Sequence, residues 1–344
     1  MAVEKEITIY DLARQLNISI ATVSRGLNDD PVVSKKTKKR IFDLAQELGY
    51  RHNRFASSLR KQKTNTIGVI VPKVNSNFIA NALAGIESIA TEAGYDLIIT
   101  TSSEQAEKEK ANALNLFHKR VDGLIVSLSF DTNDLSHFEP FESKGIPVVY
   151  FDRVEERTDT IKVVIDNYAC GYQATAHLIA QGCKRIAIVS ASLQRNVYAQ
   201  RYRGYCDAQV DQGIPVDESL LLIEDLSEES ALDAARQILK MDPIPDGLFV
   251  INDFVAAVIM QALKEKGIRI PEDIAVVGFN NDVISKLVEP KLSTIDYPGF
   301  EMGQLVTRNL INHLKGGADL RQTSTVVMRT QLIVRESSMK KKND

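Results

Sequence analysis

Residues 7–50 read ITIYDLARQLNISIATVSRGLNDDPVVSKKTKKRIFDLAQELGY, and this stretch decides how the chain is organised. Thr8, with Asp11 three residues on, has the spacing of a capping box, so a helix is expected over about Ile9–Leu16 with Leu12, Ala13 and Leu16 on one face. Asn17-Ile18 breaks it, because Asn tolerates the left-handed backbone that a sharp turn needs. Ser19 caps a second helix, Ile20–Leu27, which turns Val23 and Leu27 inward; Gly26 and Asn28-Asp29-Asp30-Pro31 are expected to end it. Ser34 caps a third helix through Ile41, Leu44, Ala45 and Leu48, closed by Gly49.

Two short helices joined by a tight turn form a helix-turn-helix, whose second helix can enter the major groove of DNA. Its outward positions carry Ser19, Ile20, Ala21, Ser24 and Arg25. Arg25 suits a guanine edge, Ile20 and Ala21 suit thymine methyls, and Thr22 and Asn28 suit phosphates. A small helical bundle without nucleic acid is the competing reading. The run Lys35, Lys36, Lys38, Lys39, Arg40 weighs against it, and so does the charge distribution. Residues 1–63 hold 13 Lys and Arg against 7 Asp and Glu, a balance of +6, while the rest of the 344-residue chain balances at −9. A basic module on an acidic body points to a polyanionic partner.

The pattern DLA…S-x-ATVSR-x-LN…VS-x-x-T-x-x-R-I…A-x-ELGY closely resembles the DNA-binding domain of the lactose/galactose repressor family, and the resemblance continues to about residue 337. It implies that Thr8 also lies against DNA and that a hinge helix follows over residues 53–59. There Asn53 starts the helix, Ala56 lets two hinges approach, and Leu59 wedges into the minor groove and kinks the duplex. The family usually has Pro before that Asn; here His52 stands there, removing a rigid helix start.

From Thr66 the pattern changes to short apolar runs alternating with amphipathic helices. Strands are expected at 67–71, 96–101, 123–127, 148–151 and 162–165, and again at 186–189, 220–223, 248–251 and 275–278. Such alternation means parallel sheets covered on both faces. The halves echo each other: Val121-Asp122-Gly123-Leu124-Ile125-Val126 matches Pro245-Asp246-Gly247-Leu248-Phe249-Val250. Two doubly wound subdomains with a cleft between them are expected, because open α/β sheets bind ligands beyond the carboxyl ends of their strands.

At those ends stand Phe78, Ser127 and Asp152 in the first half, and Arg195, Arg201, Asn252 and Asn280 in the second. Taken singly, each reads as core or as a helix cap; together at matching strand ends they read as an effector site. The body resembles the periplasmic sugar-binding proteins and the core of the same repressor family. The resemblance implies ring stacking by Phe78 and hydroxyl binding by Asp152, Arg201, Asn252 and Asn280, chemistry that suits a sugar. Asn280 departs from the family's usual Asp, and Tyr297 from its usual Gln before Pro298.

The chain has no apolar leader at its N-terminus and no run near the ~18–20 apolar residues of a membrane span, so a cytoplasmic, nucleoid-associated protein is expected. Cys170, Cys183 and Cys206 form no CxxC, and the five His form no ligand cluster, so neither disulfide nor metal is expected. There is no G-x-G-x-x-G, Walker A or G-x-S-x-G pattern, and no cofactor or catalytic residue is assigned.

The fold expected is an all-α helix-turn-helix domain (1–50), a hinge and linker (51–65), a periplasmic-binding-protein-like core (66–337) and a disordered tail (338–344). Within the core, the N-subdomain takes about 66–165 and 298–325, and the C-subdomain about 166–297 and 326–337. The expected function is that of a transcription regulator, acting as a repressor. Its partners are a second copy of the chain, a pseudo-palindromic duplex and a small-molecule effector of carbohydrate type. No membrane partner is expected, and no leucine heptads follow Arg335 to make a tetramer. A sugar-binding protein without a DNA role lacks a use for the basic helix-turn-helix, and a sugar-modifying enzyme lacks an acid–base pair.

Overall fold

The computed structural model describes residues 7–50, 63–155, 159–317, 320 and 325–340, in two units, 1–64 and 65–344. In the first unit, helices α1 (Ile9–Leu16), α2 (Ile20–Leu27) and α3 (Lys35–Glu47) surround Leu12, Val23 and Ile41, all fully buried. Truncating Leu12 or Ile41 to Ala costs about 2–5 kcal/mol. The local signals act as the sequence dictates. Thr8 and Asp11 close a capping box, Asn17 is left-handed at φ 52°, and Ser19 and Ser34 accept from the amides of Thr22 and Thr37. Gly49 takes φ 64° after α3. Gly26 differs from expectation. It lies inside α2, buried, where an added Cβ would meet Ile41 Cδ1 at 2.4 Å, so it is a packing notch and not a terminator.

The second unit begins with β1 (Thr66–Val71), α4 (Asn77–Glu92), β2 (Asp96–Thr101), α5 (Ala106–His118), β3 (Gly123–Val126), α6 (Glu139–Ser143), β4 (Val148–Phe151) and β5 (Lys162–Ile165). It continues with α7 (Asn167–Ala180), β6 (Ile186–Ser190), α8 (Asn196–Asp211), β7 (Leu221–Ile223), α9 (Glu228–Lys240), β8 (Gly247–Val250) and α10 (Asp253–Glu265). Then come β9 (Ala275–Asn280), α11 (Ile284–Leu287), β10 (Ser293–Asp296), α12 (Gly299–Leu314), β11 (Thr325–Met328) and β12 (Leu332–Ile333). The first sheet has the order β11-β5-β4-β3-β1-β2 and is parallel throughout; the second has the order β12-β10-β9-β8-β6-β7.

Two details correct the expected layout. The second sheet ends in an antiparallel strand, since β12 pairs with β10 in that sense. β11 pairs with β5, so the chain returns to the second lobe only after Met328, later than the expected 325/326 boundary. The chain thus crosses between lobes near Asp166, at Tyr297-Pro298 and at 329–331.

Each lobe contains one pair of helices in backbone contact. An added Cβ on Gly85 of α4 would meet the Phe300 carbonyl of α12 at 2.0 Å, and one on Gly171 of α7 would meet the Arg201 carbonyl of α8 at 2.1 Å. The expected disordered tail is also partly ordered. Ser337 and Ser338 are fully buried, Ser338 Oγ bonds His177 Nε2 at 2.7 Å, and Lys340 Nζ donates to the Asp246 carbonyl at 2.9 Å. Polar partners on the second lobe, distant in the chain, hold these side chains, which composition does not reveal. Among the described residues no helix is long and apolar enough to cross a membrane, and no group of three His, Cys, Asp or Glu is placed to hold a metal ion. The three cysteines are free.

Candidate nucleic-acid face and effector cavity

On α2, burial of Val23 and Gly26 turns Ser19, Ile20, Ala21, Arg25 and Asn28 out to solvent, with Thr22 and Ser24 half-buried. Thr8 is exposed at the start of α1. Ser19 and Thr22 share a hydroxyl bond of 2.8 Å, and Asn28 Nδ2 donates to the Ser24 carbonyl at 2.7 Å. The helix therefore presents one cation, Arg25, among small and apolar side chains. Lys35, Lys36, Lys39 and Arg40 are exposed on α3. Lys38 is drawn away, donating to Asp29 Oδ1 at 2.5 Å and to the Asp29 carbonyl at 2.9 Å, and this contact lowers the pKa of the exposed Asp29. Asn53, Ala56, Leu59 and His52 lie outside the described residues.

In the second unit a cavity of about 560 Å³ opens between the carboxyl ends of the two sheets. It brings together Phe78 and Asp152 from the first lobe with Arg201, Asn252 and Asn280 from the second. Two of these sit in a backbone region that side chains rarely adopt: Asp152 at φ 60° and Asn280 at φ 114°. Non-glycine residues held there cost free energy and cluster at ligand-binding sites. Asn281, at φ 54°, is held from behind by Arg335, whose Nη2 donates to its Oδ1 at 2.8 Å while Nη1 donates to the Leu292 carbonyl at 2.6 Å.

Arg201 is buried to 3% exposure. Its Nε donates to Asn167 Oδ1 at 2.9 Å, its only hydrogen bond among the described residues, which leaves the terminal nitrogens for a ligand. Asn252 spends its Oδ1 as the cap of α10, accepting from Val255 N at 3.1 Å, and keeps its amide nitrogen.

Two expected site residues lie outside the lining. Ser127 is fully buried behind Asp152, donating to its Oδ2 at 3.2 Å, so it positions the carboxylate. Arg195 donates through Nη2 to the Thr132 carbonyl and ties the start of α8 to the first lobe, while its Nε is buried without a hydrogen-bond partner among the described residues.

Several lining residues were given no role in the sequence reading, although Arg153 and Asp282 stand at strand ends. Arg153 Nη1 lies 2.9 and 2.8 Å from the two oxygens of Glu104, and Nη2 donates to the Tyr198 hydroxyl across the cleft at 2.8 Å. Its guanidinium lies 4.3 Å from the Phe130 ring centre. The position of Arg153, directly after Asp152 at a strand end, was the available signal; Glu104 and Phe130 stand on loops with none. Asn77 Nδ2 donates across the cleft to Asp282 Oδ1 at 2.9 Å, and burial pushes the Asp282 carboxyl above its ordinary range. Beneath it Asp253, fully buried, accepts from Thr294 Oγ1 at 2.7 Å and Asp282 N at 2.8 Å; burial pushes its pKa up to about 7.

The cavity suits a hydroxylated molecule held by amides and a guanidinium, and the first unit by itself is a helical module suited to a DNA groove. Known proteins share both parts. Residues 64–334 match the periplasmic binding proteins and sugar binding domain of the LacI family, and residues 8–53 match the bacterial regulatory proteins of the lacI family. Catabolite control protein A of Priestia megaterium is 33% identical over 309 residues, covering 90% of this chain and 92% of that protein. The Lac repressor dimer bound to operator and the anti-inducer ONPF superposes with a TM-score of 0.86 at 26% identity, over 98% of this chain and all of that one. A complex of the transcriptional regulator CelR with cellobiose gives a TM-score of 0.72 at 28% identity, over 96% of this chain and all of that one. The chain therefore belongs to the LacI family: it is a transcription regulator with a helix-turn-helix domain and a periplasmic-binding-protein-like effector domain.

Proposed function

We propose that the chain is a homodimeric repressor whose affinity for a pseudo-palindromic operator is set by a sugar or sugar derivative held between the lobes. The observation that carries this reading is the convergence of Arg201, Asn252 and Asn280 on one cavity, with the Arg201 terminal nitrogens open to it. The bound operator and cellobiose named for the two similar structures support it. Ser19, Ile20, Ala21 and Arg25 read bases, Thr8, Thr22, Ser24 and Asn28 position the helix on the backbone, and Asn53, Ala56 and Leu59 form the hinge. The protein works in the cytoplasm, on the nucleoid. Effector and operator are coupled by about 1–3 kcal/mol, and each changes the affinity of the other by the same factor.

The test is to mix the protein with sheared genomic DNA and sequence what it retains at moderate salt, then repeat with sugars added. Enriched pseudo-palindromes whose retention a sugar alters are expected. Uniform retention that vanishes with salt means electrostatic binding alone and overturns the reading.

A further inference from the structure

Tyr297 stands on the second crossover between the lobes and is only 6% exposed. Its ring stacks on Phe78, with centroids 4.0 Å apart and planes 21° apart. Its hydroxyl donates to Asp152 Oδ1 at 2.6 Å, and the other Asp152 oxygen takes Ser127. From the second lobe the Phe279 ring meets it edge-on at 5.7 Å, and the Arg201 guanidinium lies 5.5 Å from its centre. The Phe78 face and the Asp152 carboxylate are the two first-lobe groups that the resemblance implies for a sugar ring, and both are already occupied by the protein itself.

We propose that Tyr297 is a tethered ligand. Its ring fills the inner subsite formed by Phe78 and Asp152, bridges the two lobes as a bound sugar would, and confines any free effector to the outer cavity. The effector class follows. It is a hydroxylated molecule bound away from the Phe78 face, by the terminal nitrogens of Arg201 and by Asn252 and Asn280, with Phe130, Tyr198 and Phe254 as the aromatic rings left in the lining. The phenol is suited to its place, since burial, with Asp152 beside it, pushes its pKa well above the ordinary value and keeps it a donor. Gln, which the resemblance leads one to expect at this position, has no ring to fill that space. The inference rests on the effector reading above only for the outer cavity; the occupancy of the inner subsite is independent of it.

The test uses the full chain and p-cresol, which is the tyrosine side chain as a free molecule. Truncation by Tyr297→Ala leaves a vacancy between Phe78 and Asp152, and cavities of this kind bind small aromatics. Millimolar p-cresol is expected to raise the melting temperature of Tyr297→Ala by several degrees, saturably, and to leave wild type and Tyr297→Phe unshifted. A second arm keeps the ring in place. Any shift that D-glucose, D-galactose or D-ribose produces in the wild type is expected to persist in Asp152→Asn. A Tyr297→Ala protein that ignores p-cresol overturns the proposal. So does a monosaccharide whose shift in the wild type disappears in Asp152→Asn, and that arm decides alone if the truncated variant does not fold. No operator enters either arm, so failure of DNA binding and failure of this proposal are separately visible.

Discussion

The Arg201 guanidinium lies 3.6 Å from the centre of the Phe279 ring, with its Nε on Asn167. The ring face holds the cation flat, and the amide fixes its rotation, so the terminal nitrogens enter the cavity in one orientation. Replacing Arg201 by Met keeps the stem and removes the charge-assisted bonds, worth about 1.5–3 kcal/mol. A rise of tenfold or more in effector Kd is expected from calorimetry. Phe279→Leu, which keeps the cation but loses its platform, falls between that variant and wild type.

Glu104 and Arg153 form a pair that is nine-tenths buried, with the Tyr198 hydroxyl as third member. Removing one partner strands a buried charge, so Glu104→Ala destabilises by about 3–5 kcal/mol. The double variant Glu104→Met, Arg153→Met loses less than Glu104→Ala alone. Denaturant titration of the three proteins checks this ordering.

Gly171 admits the backbone of α8, and an added Cβ would meet the Arg201 carbonyl carbon at 2.8 Å as well as its oxygen. Backbone cannot move aside as a side-chain tip can. Gly171→Ala therefore forces α7 and α8 apart, costs about 1–3 kcal/mol or more, and weakens the effector response by displacing Arg201. Thermal melting and effector titration of the same sample read both effects.

Asp253 has its pKa raised by burial from 3.8 to about 7. A carboxyl that holds its proton more tightly when folded contributes most below about pH 4 and loses that contribution as the pH rises to about 7. The slope is thus downward over this window, amounting to no more than about 4 kcal/mol. Melting temperatures measured from pH 5 to pH 8 fall more steeply in the wild type than in Asp253→Asn, whose amide does not titrate. Equal slopes would remove Asp253 as the cause.

Arg25 is exposed on α2. Arg25→Ala weakens binding to the selected operator by about 1–3 kcal/mol and leaves the melting temperature unchanged. Lys39→Ala weakens all duplexes alike and lowers the salt slope by about one. Binding isotherms at several salt concentrations separate the two.

The elements of the fold were legible because each rests on local chemistry: caps at Thr8, Ser19 and Ser34, the left-handed Asn17, and apolar runs bounded by polar strand ends. Four of the five lining residues read from the sequence, Phe78, Asp152, Asn252 and Asn280, share a place at the carboxyl end of a strand or the start of the next helix, and Arg201 lies in the second turn of α8. What escaped depends on partners distant in the chain. Nothing near Ser127 says that Asp152 lies in front of it, and nothing near Arg195 says that the Thr132 carbonyl will take its charge. Phe78 was expected to meet a ligand ring and meets Tyr297 instead, a pairing across more than two hundred residues. β12 is two residues long, too short for any period, and its pairing with β10 emerges only from the folded chain.

The three crossings between lobes bear on how the protein can be taken apart. The first lobe draws its strands from 66–165 and 325–328 and its closing helix from 299–314; the second draws from the segments between and after them. No single stretch of the gene encodes either lobe, so neither can be expressed as a fragment or exchanged as a cassette with another regulator. Grafting a new effector preference onto this scaffold therefore has to proceed residue by residue along the cavity wall, whereas the 1–64 unit, continuous in the chain, can be exchanged whole.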